Sequence, residues 1–162
     1  MDLSEELKKI IKGDVDATEA TREFYSHDAS LFELKPQVVV FPKSGDDIAA
    51  IVKFVAEHKK DIPNLSITAR SRGTDMSGAA INDSIILDTS RYMTQMSNVS
   101  AASATVQPGK MYKDFEVETL KFCSILPSYP ASRELAGMGG IVKNNSGGEK
   151  SLQFGKTEKY VT

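Results

Sequence analysis

The sequence predicts a mixed α+β chain: a small βαβ unit with a parallel sheet, then a second α+β unit with antiparallel strands. Three observations predict it. Pro36-Gln37-Val38-Val39-Val40-Phe41-Pro42 is an apolar run fenced by prolines, with the length and β-branched content of a buried strand. A helical stripe follows it, and then two more short apolar runs, Ser66-Ile67-Thr68-Ala69 and Ser84-Ile85-Ile86-Leu87-Asp88. From Met93 the chain turns to Ser, Ala and Val, with Thr105-Val106-Gln107 the clearest strand before Pro108-Gly109, suited to an antiparallel pair.

Taken in order, Leu3, Leu7, Ile10 and Ile11 recur at helical spacing and Gly13 offers a stop, so the chain opens on a short amphipathic helix. Asp14 to Glu23 is polar and fits no single template. After the strand between Pro36 and Pro42, Ser44 caps a helix with Asp47 as the acid of its capping box. Ile48, Ile51, Val52 and Val55 form the apolar stripe of that helix, and His58 falls on its wet face. Pro63 ends this pattern before the strand at Ser66. Met111 to Phe122 reads as a second helix, with Met111, Phe115 and Leu120 as apolar support. Two prolines forbid a helix in Pro127-Ser128-Tyr129-Pro130-Ala131-Ser132.

Composition removes several functions. The 162 residues suit one domain or two small subdomains, and 40% apolar residues can build a core. A net charge of -2 leaves no basic footprint for nucleic acid. No apolar run approaches the roughly 20 residues of a membrane span, and the acidic start Met1 to Glu6 is not that of a signal peptide. One cysteine, Cys123, excludes an internal disulfide and fits a reducing, cytoplasmic setting. Its apolar neighbours Phe122, Ile125 and Leu126 favour a buried small side chain over a reactive thiol. Two histidines without Cys/His spacing give no metal site. His27 beside Asp28 could form an acid/base pair, but neighbours in sequence need not face each other, and a structural role is preferred.

The densest chemical signal is Ala69-Arg70-Ser71-Arg72-Gly73-Thr74-Asp75-Met76-Ser77-Gly78, at the C-terminal end of a strand and between two strands expected to be buried. Gly73 and Gly78 can take φ > 0 and bring backbone N–H groups close to a ligand. Consecutive N–H groups of such a turn form an anion-binding hollow, to which Thr74 and Ser77 add hydroxyls and Arg70 and Arg72 add charge. A phosphate or pyrophosphate suits that chemistry; so, in composition, does an ordinary strand-connecting loop. A second cluster runs from Gly137 to Gly148, with five glycines and two asparagines, and implies close backbone approaches and left-handed turns. Its Gly137-Met138-Gly139 start lacks the third glycine of a dinucleotide fingerprint, which would fall at Val142. A flexible linker would not embed Ile141-Val142.

In combination, these stretches resemble the FAD-binding domain of the FAD-linked oxidases, the FAD-binding PCMH-type or vanillyl-alcohol-oxidase fold. The branch most similar holds the glycolate oxidase subunit and D-lactate-dehydrogenase-like enzymes. The ordered pieces are Tyr25 to Ser30, Pro36 to Pro42 with its helix, Ala69 to Gly78, Val106 to Gly109, Pro130 to Ser132, and Gly139-Gly140 through Asn144-Asn145-Ser146-Gly147-Gly148 to Phe154-Gly155. The resemblance implies that Arg70, Ser71, Arg72, Gly73 and Thr74 hold the FAD pyrophosphate, mainly through backbone N–H groups, with Ser77 and Gly78 toward the flavin. Pro130 and Ser132 match the segment beside the flavin. Gly139, Gly140, Asn144, Asn145, Ser146, Gly147 and Gly148 match the segment lining the cofactor. Relatives often carry glycine where Ser71 and Arg72 stand. Thr74 takes the place of the flavin-linking histidine of some relatives, which implies non-covalent FAD.

The implied domains are a helical lead-in at 1–35, the βαβ subdomain with the pyrophosphate loop at 36–92, and the start of a second FAD-binding subdomain, incomplete, at 93–162. The implied reaction is oxidation of a small 2-hydroxy acid by hydride transfer to flavin N5, with an unknown electron acceptor. Catalytic residues are expected beyond Thr162. The chain then reads as the cofactor-binding portion of an oxidoreductase, from a fragmentary gene or a truncated product and poorly active alone. The alternatives are a UDP-N-acetylenolpyruvylglucosamine-reductase-like flavoenzyme of the same fold, and a non-catalytic nucleotide-binding or inert fragment.

Overall fold

A computed structural model describes residues 2–162. Helix α1, Leu3–Ile10, begins where the Asp2 carboxylate accepts the backbone N–H groups of Ser4 and Glu5. It buries Leu7 and ends before Ile11, ahead of the expected glycine stop. The stretch that matched no template, Asp14 to Glu23, is divided in two. Strand β1, Asp14–Asp16, is followed by helix α2, Glu19–Phe24, capped by Thr18.

Strand β2, Val38–Phe41, is buried along its whole length and leads into helix α3, Gly45–His58. Ser44 caps α3 as its sequence predicts. The capping-box role of Asp47 is corrected: its N–H donates to Ser44 Oγ, but its two oxygens accept the N–H groups of Lys12 and Lys43, 2.9 and 2.8 Å away, rather than that of Ser44. Burial works against its charge, but these bonds and one from Gly13 hold its pKa below the ordinary value. The stripe of α3 is corrected at one position. Val52 is exposed, and Phe54 joins Ile51 and Val55 in the core. His58 is only partly exposed, stacked on Phe54, with Nδ1 2.9 Å from the Phe54 carbonyl.

Strands β3, Ile67–Arg70, and β4, Ile85–Asp88, complete a four-stranded sheet in the order β1-β2-β4-β3. β2, β4 and β3 are parallel, and β1 runs antiparallel on one edge. The last strand to enter, β4, therefore occupies the centre. β3 is an edge strand with Ala69 exposed and Arg70 buried, so the expectation of two buried strands around the loop holds for β4 alone. One core, containing Leu7, Ile11, Val38, Val40, Ile51, Phe54, Ile85 and Leu87, fills one face of the sheet. A smaller cluster of Val39, Phe41 and Ile86 lies on the other face, against Tyr25 and Tyr92.

The second half begins with the antiparallel pair β5, Met96–Ser97, and β6, Thr105–Val106. Helix α4, Tyr112–Leu120, follows, with Met111 before it as cap rather than inside it. Fully buried Tyr112 is its central side chain, its hydroxyl bonded to Glu116 and to the Leu126 carbonyl, while Leu120 is exposed. Tyr112, Phe115, Tyr129, Ala136, Met138 and Ile141 make a separate core. Cys123 corrects the buried-thiol expectation: it is exposed, at φ 55° in the turn that closes α4. The second glycine cluster is also corrected. It opens as a helix, α5, Met138–Lys143, and only Asn145 within it takes a left-handed conformation. Helix α6, Ser151–Phe154, and a single 3-10 turn, Thr157–Tyr160, end the chain. No helix among the described residues is long and apolar enough to cross a membrane.

Candidate functional site

The loop Ser71–Gly78 leaves the C-terminal end of β3, the end at which parallel sheets place their ligands. Its bend is at Gly73, φ +65°, where a side chain would be strained. The backbone N–H groups of Ser71, Arg72, Gly73 and Thr74 donate to no acceptor among the described residues. Asp75 sets the far side of the bend. Its Oδ2 accepts from the Ser77 N–H at 2.8 Å, the Ser77 hydroxyl at 2.7 Å and the Ala79 N–H at 2.9 Å. These bonds, with that of Ser77 foremost, hold the Asp75 pKa below its ordinary value, so it stays ionised. Behind the loop, the Ala29 N–H donates to the Asp75 carbonyl and the Ala80 N–H to Asp28.

Arg70 does not project into solvent. Its side chain folds inward, and Nη1 donates to the carbonyls of His27 at 2.7 Å and Ala80 at 3.4 Å. The guanidinium lies over the Tyr25 ring at 5.0 Å, and the Tyr25 hydroxyl donates to Asp88. Burial raises the Tyr25 pKa, with the Asp88 charge adding to the effect, so the ring stays neutral.

The opposite wall comes from the second half of the chain. Ser71 Oγ donates to the Pro108 carbonyl at 2.9 Å. Gly137 lies so close to that hydroxyl that a Cβ there would overlap it. Asn144, at the end of α5, donates to Asp75 Oδ1 at 3.1 Å, joining the two glycine-rich stretches. Between the walls lies a cleft of about 190 Å³. Of the residues expected at the site, Arg70, Ser71, Arg72, Gly73, Thr74, Pro130, Ser132, Gly140, Asn144 and Ser146 line it.

The other six expected residues lie outside its lining. Ser77 is bonded to Asp75, and Gly78 packs on Phe32. Gly139 packs on Pro108, and Gly148 on the Tyr129 carbonyl. Asn145 is paired through its side chain with Glu158, and Gly147 lies against Ser151. Sequence reasoning missed Asp75, Gly137 and Lys143. Asp75-Met76-Ser77 carries the signal of an Asx-turn; Lys143 and Gly137 carry none that distinguishes them.

The cleft is electropositive. Arg72 and Lys143 line it without a carboxylate within 4.0 Å among the described residues, and Arg70 forms part of its floor. Asp75 is the one carboxylate in its lining. Elsewhere, Glu23, His27 and Glu33 bring ligand-type atoms within 4.8 Å of one another, but all three are exposed and Lys35 holds Glu23 at 2.6 Å.

Residues 36–162 match a family described as the FAD binding domain. The chain belongs to this FAD-binding domain family. The family's cofactor is FAD, and the resemblance read from the sequence is borne out. Among curated relatives, D-2-hydroxyglutarate dehydrogenase of Haemophilus influenzae is 34% identical over 154 residues, covering 93% of this chain and 15% of that protein. Glycolate oxidase subunit GlcD of Bacillus subtilis is 29% identical over 150 residues, covering 90% of this chain and 31% of that protein. The chain therefore spans less than a third of the length of either. Among solved structures, alkyldihydroxyacetonephosphate synthase superposes with a TM-score of 0.79 at 22% identity, over 96% of this chain and 31% of that one. 6-Hydroxy-D-nicotine oxidase of Arthrobacter nicotinovorans superposes with a TM-score of 0.73 at 23% identity, over 90% of this chain and 31% of that one. These likenesses bear out the mixed α+β fold class.

The residues present fit FAD. Four successive amides without partners lie along a glycine bend, Arg72 and Lys143 line the same cleft, and Gly140 faces open space. The cleft is smaller than the roughly 300 to 1,000 Å³ of whole-ligand pockets, which suits the diphosphate and what adjoins it rather than an entire dinucleotide.

Proposed function

We propose that this chain is the cofactor-binding portion of an FAD-dependent oxidoreductase that oxidises a small 2-hydroxy acid. The carrying observation is the run of free amides from Ser71 to Thr74, in residues that line a cleft shared with Lys143. Those amides hold the diphosphate of FAD, and Arg72 and Lys143 balance its charge. Asp75 and Asn144 keep the two walls at fixed separation, and Pro130, Ser132 and α5 form the side facing the rest of the cofactor. Thr74, standing where some relatives carry a flavin-linking histidine, supports non-covalent binding. Bound FAD would supply the redox chemistry, accepting a hydride from the substrate α-carbon at flavin N5. The substrate class is supported by the D-2-hydroxyglutarate and glycolate enzymes among the relatives. The exposed, unpaired Cys123 supports a reducing, cytoplasmic setting.

The test is flavin binding by the purified chain. The protein is expected to take up FAD in a fluorescence titration and to release it intact on denaturation. Gly73→Val is expected to abolish uptake, because a side chain there overlaps the Arg70 guanidinium and closes the bend, while far-ultraviolet dichroism stays unchanged. A wild-type chain that retains no flavin after desalting from excess FAD, and does not change FAD fluorescence in the titration, would exclude the reading. Oxidation of 2-hydroxy acids, assayed on the protein at its full natural length, ranks the substrates; no turnover of any of them would overturn the substrate class alone.

A further inference from the structure

Arg70 is 8% exposed, yet no carboxylate approaches its guanidinium within 4.0 Å among the described residues. Buried charges are normally paired, because removing an ion from water is costly unless a partner replaces the lost hydration. Here two carbonyls and an aromatic face stand in for the counter-ion, and both carbonyls engage the same nitrogen, Nη1. Nε and Nη2 donate to nothing among the described residues, keep some contact with solvent, and lie beneath Gly73. A Cβ at position 73 would fall within 2.6 Å of the Arg70 Cζ. One acceptor, the His27 carbonyl, belongs to the segment whose Asp28 and Ala29 also bond the Ala80 N–H and the Asp75 carbonyl. The guanidinium is thus wedged between that segment and the bend.

We propose that Arg70 is a positioning residue: its planar, buried guanidinium supports the Gly73 bend from beneath and keeps the amides of Ser71 to Thr74 turned toward the cleft. Its part in phosphate binding is to shape the loop, not to supply a surface cation. The assay of this role by ligand affinity rests on the FAD reading. A lysine at this position keeps the charge but lacks the planar group whose Nε and Nη2 fill the space under Gly73 while Nη1 holds both carbonyls.

The experiment compares wild type with Arg70→Lys, Arg70→Met and Arg70→Ala, using ADP and FAD as probes. In ligand-free protein, the amide resonances of Gly73 and Thr74, beyond the immediate sequence neighbours of the substitution, are expected to shift or broaden in all three variants. A residue that only touched the phosphate would leave these two unchanged, and that result overturns the proposal. Affinity for both probes is expected to fall about tenfold or more in Arg70→Lys as well as in Arg70→Met. Wild-type affinity in Arg70→Lys overturns the proposal, since charge alone would then suffice. Guanidinium ion at non-denaturing concentration is expected to restore part of the affinity of Arg70→Ala and none of that of Gly73→Val; equal recovery in both overturns it. Should Arg70→Met or Arg70→Ala fail to fold, Arg70→Lys with an unchanged melting temperature decides the case. If wild type binds neither probe, the FAD reading fails, while the ligand-free resonances still decide the role of Arg70.

Discussion

Asp75 shows how one side chain gathers a site. Its two oxygens accept four hydrogen bonds, three from the loop itself and one from Asn144 across the cleft. Folding lowers its pKa below the ordinary 3.8, so its stabilisation is complete above that value and is lost as the pH falls through the lower folded-state value. Asp75→Asn is therefore expected to cost about 1 kcal/mol near neutral pH. Urea unfolding of the two proteins should show that gap closing as the pH drops below 3.8. A gap of constant size down to strong acid would mean that the charge of Asp75 contributes nothing. At this scale the sequence was legible where a residue acts through its own backbone. Gly73 was found because a bend needs positive φ, and its φ is +65°. The inward turn of Arg70 was not legible, because it depends on carbonyls of His27 and Ala80 brought beneath the loop by folding. Cys123 was misread for a related reason: apolar neighbours in sequence do not make a turn buried.

At the scale of elements, β3 and α5 face each other across the cleft, and the separation is set by small side chains. A Cβ at Gly137 would overlap Ser71 Oγ, and one at Gly139 would press on Pro108. Gly137→Val is expected to push the loop from α5, break the bond from Ser71 to Pro108, and weaken FAD binding about tenfold or more. The first core should survive, since it draws on Leu7, Val38, Ile51 and Ile85 rather than on α5. Titration with FAD alongside hydrogen exchange of β2 and β4 checks both halves of this statement, and unchanged affinity would refute the contact's role. Period and punctuation made β2, α3 and the β5–β6 pair legible, because each carries its own pattern of burial or its own stop. α5 was not legible: glycines disfavour helices by about 1 kcal/mol each, and contact with Pro108 accounts for Gly139 alone, since a Cβ at Gly140 would meet open space.

Among the described residues, the two larger of three apolar clusters lie in different halves of the chain, with the cleft between the elements they support. We infer a unit boundary near Met93, because the clusters around Ile51 and around Tyr112 share no side chain. The lead-in helix α1 belongs with the first of them, through Leu7 and Ile11. A ligand gripped by both walls stabilises both. FAD at a hundredfold excess over its Kd is expected to add about 2.7 kcal/mol to the stability of the folded chain. Scanning calorimetry with and without FAD measures this, and a melting temperature unmoved by saturating FAD would contradict a site shared by the two walls.

What the sequence determined alone is local. Strand and helix periods, the Ser44 cap, the proline fences and the glycine bend after Arg70 all follow from residues within one or two turns of each other, whose sterics and burial pattern need no distant partner. Tertiary structure alone decided which of these meet. It inserted β4 between β2 and β3, turned Arg70 under the loop, and set Asn144 against Asp75 across 69 positions of chain. Contacts over such separations are chosen by the packing of whole faces, and no short stretch of sequence carries that information.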